Sequence, residues 1–258
     1  MKHRIFSKLL LLAAMASITA PVSAGELIIP LSSGTAPDGS TYGTRVWVTN
    51  TGGVARRLSY TFIAPGANGT QATTRQSSAI APGATILATN LVPAGQNGML
   101  LLKGAPQLQI TPRVEAHGPN GALRAAAAGP LVGDLQLAPG GGSLHLHGLS
   151  QKNGGLTTDL YLINASRKQT QCTVNAFRDN GSQIVSNVRY TLPALSVKVV
   201  EKALVSFGAN DVDEARVAVT CQEAFYAWSR VYKPGGAELN VMTPARPLGQ
   251  NVATATSK

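Results

Sequence analysis

Charge is scarce in this chain, with only 13% of its 258 residues being Asp, Glu, Lys or Arg. Basic runs are limited to Arg56-Arg57 and Arg167-Lys168, so the clustered footprint of a nucleic-acid-binding protein is missing and no nucleic-acid partner is expected. Histidine is equally sparse: beyond His3 there are only His117, His145 and His147. With two cysteines, Cys172 and Cys221, a cysteine-built zinc site lacks ligands. No Gly-x-Ser-x-Gly elbow, His-Glu-x-x-His pair, phosphate-cradling loop or Ser-x-x-Lys motif occurs. No enzyme activity and no cofactor are indicated.

Long apolar runs are missing too. The longest, Leu9 to Ile18, is shorter than the ~20 residues of a spanning helix. It follows Lys2, His3, Arg4 and Lys8 and precedes Val22-Ser23-Ala24, the layout of a cleaved export signal covering residues 1–24. The mature chain is then expected to start near Gly25, to carry no transmembrane segment and to work in the periplasm or the medium. Losing Lys2, Arg4 and Lys8 takes the 22 basic residues to 19 against 12 acidic, a net charge of +7. That mild excess gives diffuse attraction to anionic polymers.

Helical periodicity is scarcely found. With 27 glycines, 15 prolines and abundant Thr, Ser and Val, the chain reads as all-β, built of many short strands and turns. The mature length suits two sandwich domains of about 100 residues each.

The chain also aligns with itself. Arg45-Val46-Trp47-Val48-Thr49-Asn50 matches Asp159-Leu160-Tyr161-Leu162-Ile163-Asn164 at an offset of 114, and Leu100 to Val114 matches Val217 to Val231 at 117. Asn50 and Asn164 fall where a strand must turn, a place suited to asparagine. Asn68-Gly69 and Asn180-Gly181 are both expected to close tight hairpins. Residues 25–138 and 144–248 are thus expected to be two β-sandwich domains, joined by a flexible glycine-rich linker at 139–143 and followed by a frayed tail at 249–258.

Thr158-Asp159-Leu160-Tyr161-Leu162-Ile163-Asn164 and Ser229-Arg230-Val231-Tyr232, with weaker copies at Gly43 to Asn50 and Pro112 to Val114, resemble a family of repeats found in secreted bacterial surface proteins. The resemblance implies tandem immunoglobulin-like antiparallel sandwiches at the cell exterior. It carries no shared catalytic residues. The first half departs from the pattern by having Arg45 where the aspartate would stand.

Cys172 and Cys221, each in an expected strand, are read as a disulfide, since an exported chain with two cysteines favours a bridge. Closing a loop of about 50 residues is worth roughly 4 kcal/mol in the chain-entropy model. Their equivalents are Leu58 and Gly104, so the halves fill one space in two ways. His145 and His147 share one strand face without a third metal ligand to join them. Asp211, Asp213 and Glu214 form the one acidic cluster, expected in a polar turn before a strand starting near Ala215.

Alternation sends successive strand residues to opposite faces. In the first half Gln109, Thr111, Arg113 and Glu115 are expected to point outward. Their equivalents Tyr226, Trp228, Arg230 and Tyr232 place three aromatics and an arginine on the same face. Such side chains serve binding surfaces, making these four the candidate binding residues. Burial of the rings against the first domain, against a loop or in a barrel-like core is the other reading. Three functions stay open: a non-enzymatic module binding a protein or a surface polysaccharide at the cell exterior, a structural component of an envelope assembly with the tryptophan buried between domains, and a carbohydrate-active hydrolase using the acidic cluster.

Overall fold

A computed structural model describes residues 26–35, 39–88, 91, 96–103, 107–153, 155–234 and 238–244. The segment expected as an export signal, 1–24, and the expected tail, 249–258, lie outside the described residues. The fold is all-β, made of antiparallel sheets, and no helix among the described residues is long and apolar enough to cross a membrane.

In the first half, β1 (Glu26–Leu31), β7 (Gly98–Lys103), β4 (Ser59–Ile63) and β5 (Thr74–Gln76) form one sheet in the order β1-β7-β4-β5. The second sheet joins β2 (Ser33–Thr35), β3 (Thr41–Asn50), β8 (Leu108–His117) and β9 (Leu123–Ala128), with β6 (Thr85–Leu87) also on β3. Ile29, Leu31, Leu100 and Leu102 of one sheet meet Val46, Val48, Leu108 and Ile110 of the other in a common core. Alternation along β3 and β8 supplies that apolar face.

The second half repeats the strand order. Here β10 (Ser143–Gln151), β15 (Val212–Cys221), β12 (Thr170–Phe177) and β13 (Gln183–Leu192) run as β10-β15-β12-β13. Opposite lie β14 (Ser196–Val200), β11 (Thr157–Asn164), β16 (Phe225–Tyr232) and β17 (Leu239–Met242), ordered β14-β11-β16-β17. Strand by strand this is the arrangement β1-β7-β4-β5 and β6-β3-β8-β9. The register agrees as well: Arg45 pairs with Arg113 in the first half and Asp159 with Arg230 in the second, as the two sequence offsets require.

Asn50 and Asn164 close equivalent corners. Both are fully buried, and each side-chain amide donates to carbonyls of the following loop and of a neighbouring segment: Val54 and Ile80 for Asn50, Lys168 and Pro193 for Asn164. Each side-chain oxygen accepts from the backbone two residues on, as a turn-capping asparagine does.

Three local expectations change. Asn180-Gly181 does close the β12–β13 hairpin, with Gly181 at φ 79°, but Asn68-Gly69 instead opens a 3₁₀ turn, Gly69–Gln71, capped by the Asn68 side chain. Gly69 is needed there for close approach, because an added Cβ would sit 2.3 Å from the Leu195 carbonyl oxygen of the second half. The segment expected as a flexible linker is a turn in which Gly141 donates to the Cys221 carbonyl and Gly142 to that of Pro139, and Ser143 already belongs to β10. Finally, β15 starts at Val212, so Asp213 and Glu214 lie in the strand, with Glu214 at φ 51° where the β10–β15 register shifts.

Cys172 and Cys221 are bonded, with Cα atoms 4.0 Å apart and both residues buried. They stand directly opposite each other on β12 and β15. The bridge therefore clamps neighbouring strands of one sheet and does not cross from sheet to sheet. The next ladder pair, Thr173 and Thr220, corresponds to Ser59 and Lys103 of the first half, while Gly104 lies outside the described residues.

Candidate functional site

Tyr226, Trp228, Arg230 and Tyr232 do lie on one face of β16, but that face does not look outward. Trp228 is 0% exposed, Arg230 3% and Tyr226 6%, and Tyr232 is half-buried. This corrects the outward reading of the strand. The outer face of β14-β11-β16-β17 is covered by the outer face of β1-β7-β4-β5. Ile28, Ile63, Met99 and Leu101 from the first half share one apolar cluster with Tyr161, Tyr226 and Trp228. The alignment places His145, Phe177, Arg216 and Ala218 at the positions of those four residues, on an outer sheet face where His147 is exposed. Each half is apolar on the sheet that meets the other and polar on the sheet that faces away.

Trp228 stacks on Tyr161, its ladder partner, with ring centroids 4.2 Å apart and planes 19° from parallel. Two ladder pairs further along, and next on the same face, Arg230 donates to Asp159 at 2.6 Å, and the other Asp159 oxygen accepts from the Lys202 backbone at 3.0 Å. The guanidinium lies over the rings of Tyr232, at 4.3 Å, and Tyr42, at 5.4 Å. Cation–π contact of this kind strengthens where water is excluded. Trp228 Nε1 has no hydrogen-bond partner among the described residues. The site is a rivet holding two sheets together: a buried charge pair ringed by aromatics.

Backbone contacts close the seam around it. Gly66 donates to the Val197 carbonyl and Gly69 to that of Ala194, Tyr42 donates through its hydroxyl to the Lys233 carbonyl, and Arg167 pairs with Glu26 at 3.0 Å. Arg167-Lys168 is exposed as expected of turn charges, whereas Arg56 sits half-buried in a bridge with Ile80.

The equivalent face of the first half is open. Gln109, Thr111 and Arg113 are exposed as the sequence indicates. Glu115 departs from that expectation: it is only 5% exposed, because its carboxylate is held by Arg45 at 3.1 Å and His117 at 3.0 Å. Arg113 lies over the Trp47 ring at 5.6 Å.

The remaining chemistry-bearing residues stay apart. His145 accepts from Arg216 at 3.0 Å, and its imidazole is held below the usual histidine range by partial burial and by that arginine. Among the described residues no group of three His, Cys, Asp or Glu side chains could hold a metal ion. Asp211, Asp213 and Glu214 are exposed, and Asp213 pairs with Lys152.

Sequence reasoning missed Tyr42, which reaches from the first half to the seam, and the outer face around Arg45, Trp47 and Arg113. A signal for the seam was present in the same alignment: Ile28, Pro30 and Met99 are apolar where the second half has His145, His147 and Arg216. No protein-family model, curated protein or solved structure gives a significant match to the chain.

Proposed function

We propose that this chain is an exported, non-enzymatic protein of two immunoglobulin-like sandwiches, residues 25–138 and 144–248, that works outside the cytoplasm as a stiff two-domain interaction module of the envelope or cell surface. The observation that carries this reading is the seam. A ligand-binding aromatic patch would stand in solvent, whereas Trp228, Tyr161 and the Asp159–Arg230 pair are used up in fixing one half against the other. Inter-domain contacts of this kind limit hinge motion, since an apolar interface with a buried charge pair resists opening.

The disulfide supports an oxidising compartment. The N-terminal pattern from Lys2 to Ala24 supports export. The resemblance to repeats of secreted surface proteins supports the sandwich type. The exposure of Asp211, Asp213 and Glu214, with Asp213 paired to Lys152, favours a binding or scaffold role over glycoside hydrolysis.

The test is cell fractionation of the full chain with N-terminal sequencing of the product and thiol alkylation before and after reductant. A periplasmic or extracellular product starting near Gly25, with both cysteines protected, is expected. A cytoplasmic, uncleaved and reduced chain would end the proposal. Stiffness is read separately from Trp228 in a Trp47→Phe variant, where a blue emission insensitive to iodide is expected and a red, quenchable one would refute seam burial.

A further inference from the structure

Arg45 and Arg113 stand directly opposite each other across the β3–β8 ladder, on the face of the first half that no other part of the described chain covers. Like charges directly opposed on a sheet are destabilising. The second half shows the favourable solution at the same two positions, Asp159 against Arg230. Glu115 compensates Arg45, and among the described residues the Arg113 guanidinium lies over the ring of Trp47 with no ion-pair partner. An opposed pair in which a carboxylate neutralises only one of the two charges is a local rule broken, and such breaks mark functional or strained surfaces.

The surroundings define what such a surface suits. Trp47 is half-buried in the middle strand of the face, beside Leu87 on β6. Thr111, the partner of Trp47 on β8, is exposed, and Thr49 and Thr85 form a hydroxyl pair at 2.8 Å along the β3–β6 edge. The face bears hydroxyls and two arginines around one aromatic ring, with the Glu115 carboxylate held against Arg45 at one side. From this juxtaposition we propose that the Arg45–Trp47–Arg113 face binds a strand of acidic polysaccharide, with a sugar ring against Trp47 and its carboxylates on the two guanidiniums.

Arginine suits this role because its planar fork matches a carboxylate. A second copy of the chain fits less well, because pairing two such faces would gather the arginines of both copies on one interface. The net charge of +7 after loss of the export signal adds long-range attraction for a polyanion. The inference deepens the proposed interaction role by naming a ligand class, and it depends on that role only for the place where such polymers are met.

The experiment uses the purified, processed chain with polygalacturonate, neutral dextran and duplex DNA as probes, read by iodide quenching of tryptophan and by titration. With Trp228 buried, iodide reports on Trp47. Polygalacturonate is expected to shield Trp47 from iodide and to bind at least tenfold more weakly to Trp47→Ala and to Arg113→Gln. Dextran is expected to do neither, and DNA to leave Trp47 quenchable. Arg113→Gln should melt no lower than the parent, since it relieves the opposed charges. Equal binding of polygalacturonate to Trp47→Ala, shielding of Trp47 by DNA as strong as by polygalacturonate, or a dimer in sedimentation that Trp47→Ala dissociates would each overturn the proposal. Because binding is measured on purified protein, its failure is distinct from a failure of export.

Discussion

Arg230 reaches across the β11–β16 ladder to Asp159 at 2.6 Å, and both side chains are almost fully removed from water. Charges so placed contribute little net stability as a pair, yet removing one strands the other.

Asp159→Ala is therefore expected to cost about 3–5 kcal/mol in denaturant unfolding, and Arg230→Ala a similar amount. The double change Asp159→Leu with Arg230→Met should lose markedly less than the sum of the two single changes. Additive losses would show that the residues act independently.

Gly69 admits no side chain where the first half abuts the Leu195 turn. Gly69→Ala should destabilise by about 1–3 kcal/mol, the usual range for overpacking. Gly53→Ala, at an exposed site with nothing within 4 Å of the added carbon, should be near neutral in the same thermal melts. Equal effects would discount the close approach.

Alkali should open the seam. Burial pushes the Tyr226 phenol from 10.0 up to about 12, and burial with the nearby Asp159 carboxylate takes Tyr232 to about 12. Burial raises Tyr161 further still. A raised folded-state value means that the unfolded chain loses its protons first, so this stabilisation is complete below pH 10 and declines as pH rises toward 12. Phenolate absorbance and unfolding should then rise together in that window, and Tyr226→Phe should move the transition to higher pH. A phenolate titration finished well before unfolding would contradict it.

Replacing Cys172 and Cys221 by serine should lower stability by about 2–4 kcal/mol, in the range of a native bridge closing a loop of this length. Because the bridge joins two strands already laddered together, the loss should appear in the second half's protection from hydrogen exchange, with the first half little changed.

Much of the architecture was legible because duplication supplies an internal control. The offsets of 114 and 117 specify that Arg45 pairs with Arg113 and Asp159 with Arg230, and the ladders have that register. The corners at Asn50 and Asn164 were readable from turn chemistry. The direction of the β16 face was not. Alternation distinguishes core from solvent only where one side of a sheet is wet, and β11 and most of β16 are buried on both sides. The open sister face, with its exposed Gln109, Thr111 and Arg113, then suggested the wrong environment for Tyr226, Trp228 and Arg230. The Asn68-Gly69 pair misled for a related reason: a glycine required for contact with a distant segment looks the same in sequence as one required by a hairpin.

The position of the bridge also has a mechanical side. Cys172 and Cys221 stand 49 positions apart in the chain, on adjacent strands. Under tension applied at the two ends of the protein, the segment between them cannot be paid out while the bond is intact. At ~3.3–3.6 Å per residue, roughly 160–175 Å of contour length is withheld from extension. A pulled, oxidised molecule would be shorter at full stretch than a reduced one by about that amount, and its second half would fail last in the strands the clamp encloses.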